Sequence, residues 1–230
     1  MQLCAWGPKF AGYEKGGCVP MSNFKLKTLV LGSVQTNCYI ISDDVSKEAI
    51  VFDIGDQADK VLGYLLENDL TCKAIILTHG HFDHILGVDD LVNRTGVLVY
   101  AHEAEEELLT DPEMNSSARI RRPYSLKPDV LLKDNEELNF GDLVIKVIHT
   151  PGHTKGGACY YLPKQEILIS GDTLFREDIG RSDLPTGDGE ELVQSIKDKL
   201  MVLDNNVRVY PGHGAPTTIG HEREYNIYIR

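Results

Sequence analysis

Residues 78–84 read Thr-His-Gly-His-Phe-Asp-His and directly follow a short apolar run, Ala-Ile-Ile-Leu at 74–77. The run predicts a buried strand. The polar string then begins at the strand end, and this ties the fold to its own chemistry. Residues two apart on extended backbone point to the same side, so His79 and His81 can grip one ion together. Asp83 and His84 come where the chain turns into a helix. Their side chains swing another way and can hold a second ion. Gly80 lets the tight path form without a Cβ.

The same arrangement recurs three times. His153 lies in Thr-Pro-Gly-His-Thr after an apolar run ending at Ile148. Asp172 lies in Ser-Gly-Asp-Thr after residues 167–169, and His213 in Pro-Gly-His-Gly after residues 207–210. Each candidate ligand sits on a loop just past a strand, beside a glycine that lets backbones crowd together. Imidazole and carboxylate suit zinc, and also iron or manganese. Two divalent ions, with zinc first among them, are the expected cofactors. Asp53, after an early strand, reads either as a group supporting a ligand or as a turn carboxylate. Arg181 reads either as a substrate or ligand-supporting residue or as one half of a loop ion pair. His102, His149 and His221 have no such setting and read as structural, with a supporting role behind the ligands as the alternative for His149 and His221.

Strands are expected at 24–31, 38–41, 49–52, 74–77, 97–100, 143–148, 158–162, 167–169 and 207–210, the last of the chain. Helices are expected at 57–67, 84–93, 103–109 and 190–201, with a short terminal helix after Pro216. Hairpin-like strands, then β-α alternation, then the same again suggest two similar halves. Residues 111–129 carry Pro, Ser and Arg with little periodicity, and a loop of that length is often a functional lid. The first twenty residues are Gly-rich and aperiodic, with no apolar run of the signal-peptide kind. They are expected to be a loose leader ahead of a domain spanning 21–230, or else a short arm that pairs with it.

Composition narrows the function classes. The 230 residues are 42% hydrophobic, enough for a sizeable core. The net charge of −12 makes nucleic acid a poor partner. A basic cluster at Arg119, Arg121, Arg122 and Lys127 is either a solvated loop or a lid that attracts an anionic substrate. Five cysteines without Cys-x-x-Cys spacing fit a reducing compartment, so a cytoplasmic location is expected. No apolar run approaches the roughly 20 residues needed to span a bilayer. The expected partner is a small-molecule substrate, with neither nucleic acid nor membrane.

Together, THGHFDH, TPGHT, SGDTLF and PGHG resemble the metallo-β-lactamase-like hydrolase superfamily. Within it, GDTLFREDIGRSDLPTGD and GHGAPTTIGHEREYN resemble the short bacterial glyoxalase II-like hydrolases. The resemblance implies an α+β fold, a four-layer αββα sandwich with a dinuclear metal site at one edge of the sheets. It implies that His79, His81 and His153 hold one ion, that Asp83, His84 and His213 hold the other, and that Asp172 bridges them. It further implies thioester hydrolysis by a metal-bridging hydroxide, with Asp83 and Asp172 as the catalytic carboxylates. No cysteine lies in a ligand motif, which argues against antibiotic hydrolysis. The chain ends 17 residues after His213, without the helical domain that grips glutathione in glyoxalase II proper, so only weak preference for glutathione is expected. The alternative activity is that of a persulfide dioxygenase with a single iron on His79, His153 and Asp172.

Overall fold

The computed structural model describes residues 24–230, and the expected leader at 1–20 lies outside the described residues. The first half opens with an antiparallel meander, β1 (Phe24–Leu31), β2 (Thr36–Asp43) and β3 (Glu48–Phe52). Helix α1 (Ala58–Glu67) then leads to β4 (Thr71–Ile76), parallel to β3. The short α2 (Phe82–Ile85), α3 (Val88–Thr95), β5 (Leu98–His102), α4 (Glu106–Thr110) and β6 (Val130–Leu132) complete a six-stranded sheet in the order β1-β2-β3-β4-β5-β6.

The second half repeats the plan. β7 (Glu137–Phe140), β8 (Leu143–His149), β9 (Ala158–Leu162) and β10 (Ile167–Gly171) form a meander. A two-strand ribbon of β11 (Leu174–Phe175) and β12 (Asp178–Ile179) follows, then α5 (Gly189–Ser195). β13 (Arg208–Pro211) returns parallel to β10, β14 (Thr217–Thr218) pairs with β13, and α6 (Ile219–Tyr225) closes the chain. The second sheet runs β14-β13-β10-β9-β8-β7.

Alternation along the central strands assigns each side chain to a layer. On β2, Cys38 and Ile40 join the cluster beneath α1 and α3, while Tyr39 and Ile41 face the opposite way. Val51 and Ile75 fall on the helix side, and Ile50, Phe52, Ala74 and Ile76 on the other. Those inner residues meet Ile145, Val147, Tyr160, Ile167 and Ile169 of the second sheet. The outer face of that sheet, Cys159, Leu168 and Val209, is covered by Leu192, Ile196 and Leu200 of α5 and the turn after it. Three apolar interfaces therefore separate four layers, helix, sheet, sheet, helix, as expected. Strands buried on both faces read as continuous apolar runs, which is why Ala49–Phe52 of β3, Ala74–Ile76 of β4 and Ile167–Ile169 of β10 lack a polar face. Cys38, Cys72 and Cys159 are free, buried thiols.

Four expectations need correction. The helix read at 84–93 is two helices, because Gly87 donates its N–H to the Ile54 carbonyl (2.8 Å) and breaks the run between α2 and α3. Residues 207–210 are not the last strand, because Thr217 and Thr218 pair with Val209 and Arg208. The helix at 190–201 ends in a π-helical turn, Ile196–Leu200. Residues 111–129 are pinned at their centre, where Asn115 is fully buried and its side-chain amide donates to the carbonyls of Leu109 (3.4 Å) and Tyr124 (2.9 Å). Among the described residues, no helix is long and apolar enough to cross a membrane.

Candidate metal centre

The C-terminal ends of β4, β8, β10 and β13 open toward one another at the seam between the sheets. The loops past them bring His79, His81, Asp83, His84, His153, Asp172 and His213 together. Three donor groups emerge, each within 4.8 Å: His79 with His81 and His153, His79 with His84 and Asp172, and Asp83 with His84 and His213. Across the seam His81 Nδ1 lies 3.0 Å from His153 Nε2. Asp172 sits between the sets: its Oδ1 is 3.4 Å from His84 Nε2, and its Oδ2 is 3.7 Å from His153 Nε2 and 3.6 Å from His213 Nε2. Asp83 Oδ2 lies 3.2 Å from His213 Nε2. Gly212 makes this approach possible, since a Cβ there would fall 2.1 Å from Asp172 Oδ1.

These residues fit divalent ions. Buried polar atoms are almost always hydrogen-bonded, yet Nε2 of His79 and His84 and Oδ1 of Asp172 are buried without a partner. Two nitrogens bound to one tetrahedral ion at 2.0–2.1 Å would lie about 3.3 Å apart, close to the 3.0 Å between His81 and His153. The two sets differ in charge. Burial, reinforced by the neighbouring imidazoles, holds His79 well below the usual histidine range. Burial and His153 push His81 down to about 3. Burial also lowers His153, against the pull of Asp172. In the other set burial opposes charge, but Asp172, Asp83 and Asp53 outweigh it and raise His84. His213 is likewise raised, by Asp83 and Asp172 against burial. One set is three neutral imidazoles; the other is rich in carboxylate.

Supporting contacts set the ring orientations. Asp53, at φ 52° just past β3, accepts from Thr78 N (2.9 Å), Thr78 Oγ1 (2.7 Å) and His84 Nδ1 (3.0 Å). His153 Nδ1 donates to the Arg181 carbonyl at 2.7 Å. The Arg181 side chain instead pairs with Asp183 through two 2.7 Å contacts. Thr36 Oγ1 donates to Asp83 Oδ2 at 3.1 Å. Of the remaining histidines, His149 stacks on His102 with centroids 3.9 Å apart, and His221 pairs with Glu177 at 2.8 Å.

Three groups that sequence reasoning did not single out bind the halves together. Asn37 N donates to the Gly212 carbonyl (2.7 Å), and Asn37 Nδ2 to the carbonyls of Pro211 and Gly214 (3.0 Å each). Tyr39 Oη donates to the Pro211 carbonyl at 2.6 Å. Glu105 is buried, its Oε1 accepting from Gly80 N (2.8 Å) and its Oε2 from Thr154 Oγ1 (3.0 Å) and Gly156 N (2.8 Å). Burial raises the Glu105 carboxyl to about 7, against those three donors. A signal for it existed: Glu105 shares the face of Leu108 and Leu109, an acid in the apolar phase of its helix.

The centre opens into a cavity of about 380 Å³ lined by Val34, His81, Phe82, Asp83, Ser116, His153, Asp172, Arg181, Leu184 and His213. That is enough for a small ligand. Of the basic residues near residues 111–129, Arg122 is tied to Asp56 at 2.8 Å and lines a neighbouring 30 Å³ recess. Arg176 lines a separate cleft with Arg208 and His221.

Comparison with known proteins agrees with this architecture. The family model for the metallo-beta-lactamase superfamily matches residues 31–213. A probable metallo-hydrolase, YqgX of Bacillus subtilis, is 38% identical over 89% of this chain and 97% of its own. Hydroxyacylglutathione hydrolase GloC of Haemophilus influenzae is 31% identical over 89% and 97%. Among solved structures, the BLEG-1 B3 metallo-beta-lactamase superposes with a TM-score of 0.85 at 40% identity, covering 89% of this chain and 99% of its own. TTHA1623 in a di-iron-bound form gives 0.77 at 35%, covering 88% and 99%. ETHE1 from Myxococcus xanthus gives 0.74 at 27%, covering 88% and 83%. With strand-end histidines and aspartates converging at the seam of an αββα sandwich, and a family model spanning most of its length, the chain belongs to the metallo-β-lactamase superfamily of metallo-hydrolases.

Proposed function

We propose that this protein hydrolyses small thioesters at a two-ion centre, with His79, His81 and His153 holding one ion, Asp83, His84 and His213 the other, and Asp172 shared. The observation that carries the two-ion reading is the placement of Asp172, whose two oxygens face histidines of different sets at 3.4 Å and 3.7 Å. The thioester reading draws its support from the full-length likeness to GloC, named as a hydroxyacylglutathione hydrolase.

Divalent ions in such a donor set supply Lewis acidity, which polarises an acyl carbonyl and lowers the pKa of water to about 7 in zinc sites. The chain's own residues do the rest. Asp53 accepts a hydrogen bond from His84 Nδ1 and the Arg181 carbonyl one from His153 Nδ1, which turns each Nε2 toward the centre. Thr36 fixes one oxygen of Asp83, so that carboxylate is held to orient the attacking water. Val34, Phe82 and Leu184 give the cavity apolar walls against which an acyl group can pack. In the reaction the acyl C–S bond breaks, a C–O bond to water's oxygen forms, and of water's two protons one goes to the leaving thiolate and one to solvent, giving a carboxylate and a thiol.

A second reading, a mononuclear-iron persulfide dioxygenase on His79, His153 and Asp172, is favoured by the likeness to ETHE1. The likeness to BLEG-1, named as a metallo-beta-lactamase, is an observation against excluding β-lactams as substrates. One panel separates the three: thioesters, a glutathione persulfide with an oxygen electrode, and a β-lactam, each on protein of known metal content. Thioester turnover without oxygen uptake, well above β-lactam turnover, is the expected result. Oxygen consumption with persulfide on a one-iron protein, or dominant β-lactam turnover, would replace the thioester reading.

A further inference from the structure

We propose that Glu105 is the positioning residue that sets the His79–His81 loop against the His153 loop, and thereby the affinity of the three-imidazole set for its ion. The proposal rests on the reading of His79, His81 and His153 as ligands. Those ligands come from opposite sides of the seam. The first two follow β4 and the third follows β8, in different sheets. The nitrogens that must meet, His81 Nδ1 and His153 Nε2, already lie 3.0 Å apart across it. Such a set tolerates errors of only about 0.5 Å in placement, so something must fix the two loops relative to each other.

Glu105 makes that connection with one planar group. One oxygen accepts from the N–H of Gly80, the residue between His79 and His81, at 2.8 Å. The other accepts from Thr154 Oγ1, next to His153, at 3.0 Å and from Gly156 N at 2.8 Å. The contact is also tight at backbone level, because a Cβ on Gly156 would fall 2.2 Å from Glu105 N. A carboxylate is costly to bury unless it is fully hydrogen-bonded. Here all three partners are donors, so the two loops use acceptor capacity that only a carboxylate supplies. An amide in its place would turn an N–H₂ group toward one loop or the other. The carboxylate-rich set is not held this way. Its cross-seam loop, the one bearing His213, is fastened by Asn37 and Tyr39 instead. Glu105 therefore ties together the two loops that carry the three-imidazole set, whereas the loop that completes the carboxylate-rich set is tied by Asn37 and Tyr39.

The test measures zinc affinity by buffered competition in two backgrounds. His213→Ala leaves the three-imidazole set as the intact one; His81→Ala leaves the carboxylate-rich set. In the first background Glu105→Gln is expected to weaken zinc binding about 10–100-fold, the range for outer partners of metal ligands. In the second it is expected to change binding less than about threefold. Thr154→Val, which removes one of the three donors, is expected to weaken the first set about fivefold. Melting temperatures of the metal-free variants verify folding, and if Glu105→Gln does not fold, Thr154→Val carries the test. Equal losses in both backgrounds mean general destabilisation and overturn the proposal, as does unchanged affinity in the first. If the His213→Ala protein binds no zinc while wild type binds two ions, the three-imidazole reading itself fails and takes the proposal with it.

Discussion

Asp53→Asn is a change of one atom in a buried group, and its consequences can be worked through atom by atom. Asp53 Oδ1 accepts from Thr78 N (2.9 Å), and Oδ2 from Thr78 Oγ1 (2.7 Å) and His84 Nδ1 (3.0 Å). In the variant the amide oxygen keeps the Thr78 N contact, and the amide nitrogen takes the place of Oδ2. Thr78 Oγ1 adapts, because a hydroxyl can accept as well as donate. His84 Nδ1 then faces a donor. The ring escapes by moving its proton to Nε2, the atom turned toward Asp172 at 3.4 Å, and a protonated nitrogen cannot ligate. A hydrogen bond to a charged group is worth about 1.5–3 kcal/mol, so one ion should bind roughly 10–100-fold more weakly. In the metal-free fold Asp172 and Asp83 still face His84 Nε2, at 3.4 Å and 3.7 Å, so the loss of stability should be smaller than the loss of affinity. Affinity and stability are thereby uncoupled, unlike in a core defect. The assay is a buffered zinc titration beside thermal melting of metal-free protein. Wild-type affinity for both ions, or equal weakening of both with a large drop in melting temperature, would refute the reasoning.

Other outcomes follow from the same geometry. Asp172→Ala should reduce bound metal well below one ion per chain, while Asp83→Ala should retain about one, as elemental analysis would read; equal retention would contradict the shared role of Asp172. Burial, with His149 acting in the same sense, pushes His102 down to about 4, against about 6.5 unfolded. Its neutral form thus stabilises the fold fully above pH 6.5, and that stability is lost as pH falls toward 4. Melting curves of metal-free protein across this window should fall less steeply for His102→Gln, and parallel curves would count against the assignment. Phe52 is fully buried between the sheets against Tyr160, so Phe52→Ala should cost about 3–5 kcal/mol by denaturant titration, and a loss under about 1 kcal/mol would mean the intersheet layer repacks freely.

Most strands, the two similar halves and the seven converging residues were legible in the sequence because each signal is local, whereas the four layers came from the resemblance of the motifs. Apolar runs mark strands buried on both faces, and a polar string directly after a run marks a strand end. What was not legible depends on distant partners. Asn37 lies in an apolar strand run, and its work is done on carbonyls 174 and 177 positions away. Glu105 carries a local hint in its phase with Leu108 and Leu109, but its partners Gly80 and Gly156 lie 25 and 51 positions away. β6 and β7 were missed because they are only three and four residues long, too short for their apolar residues to show a period. Residues 111–129 read as a long loop with a functional role, and Ser116 lines the cavity, but the sequence does not show that Asn115 and Ser117 fold inward. Arg181 shows the limit of side-chain reasoning: its guanidinium pairs with Asp183, while its backbone carbonyl holds His153.

The central claim is that thioester hydrolysis depends on ions held by the histidines and aspartates at the seam. The most direct measurement titrates zinc into verified metal-free protein and follows thioester turnover against ions bound per chain. The account predicts no turnover above background in the metal-free protein, activity that rises with binding and levels off near two ions, and a parallel rise in melting temperature because the folded site binds zinc better than the unfolded chain does. Full thioester turnover by protein shown to contain no metal would contradict it.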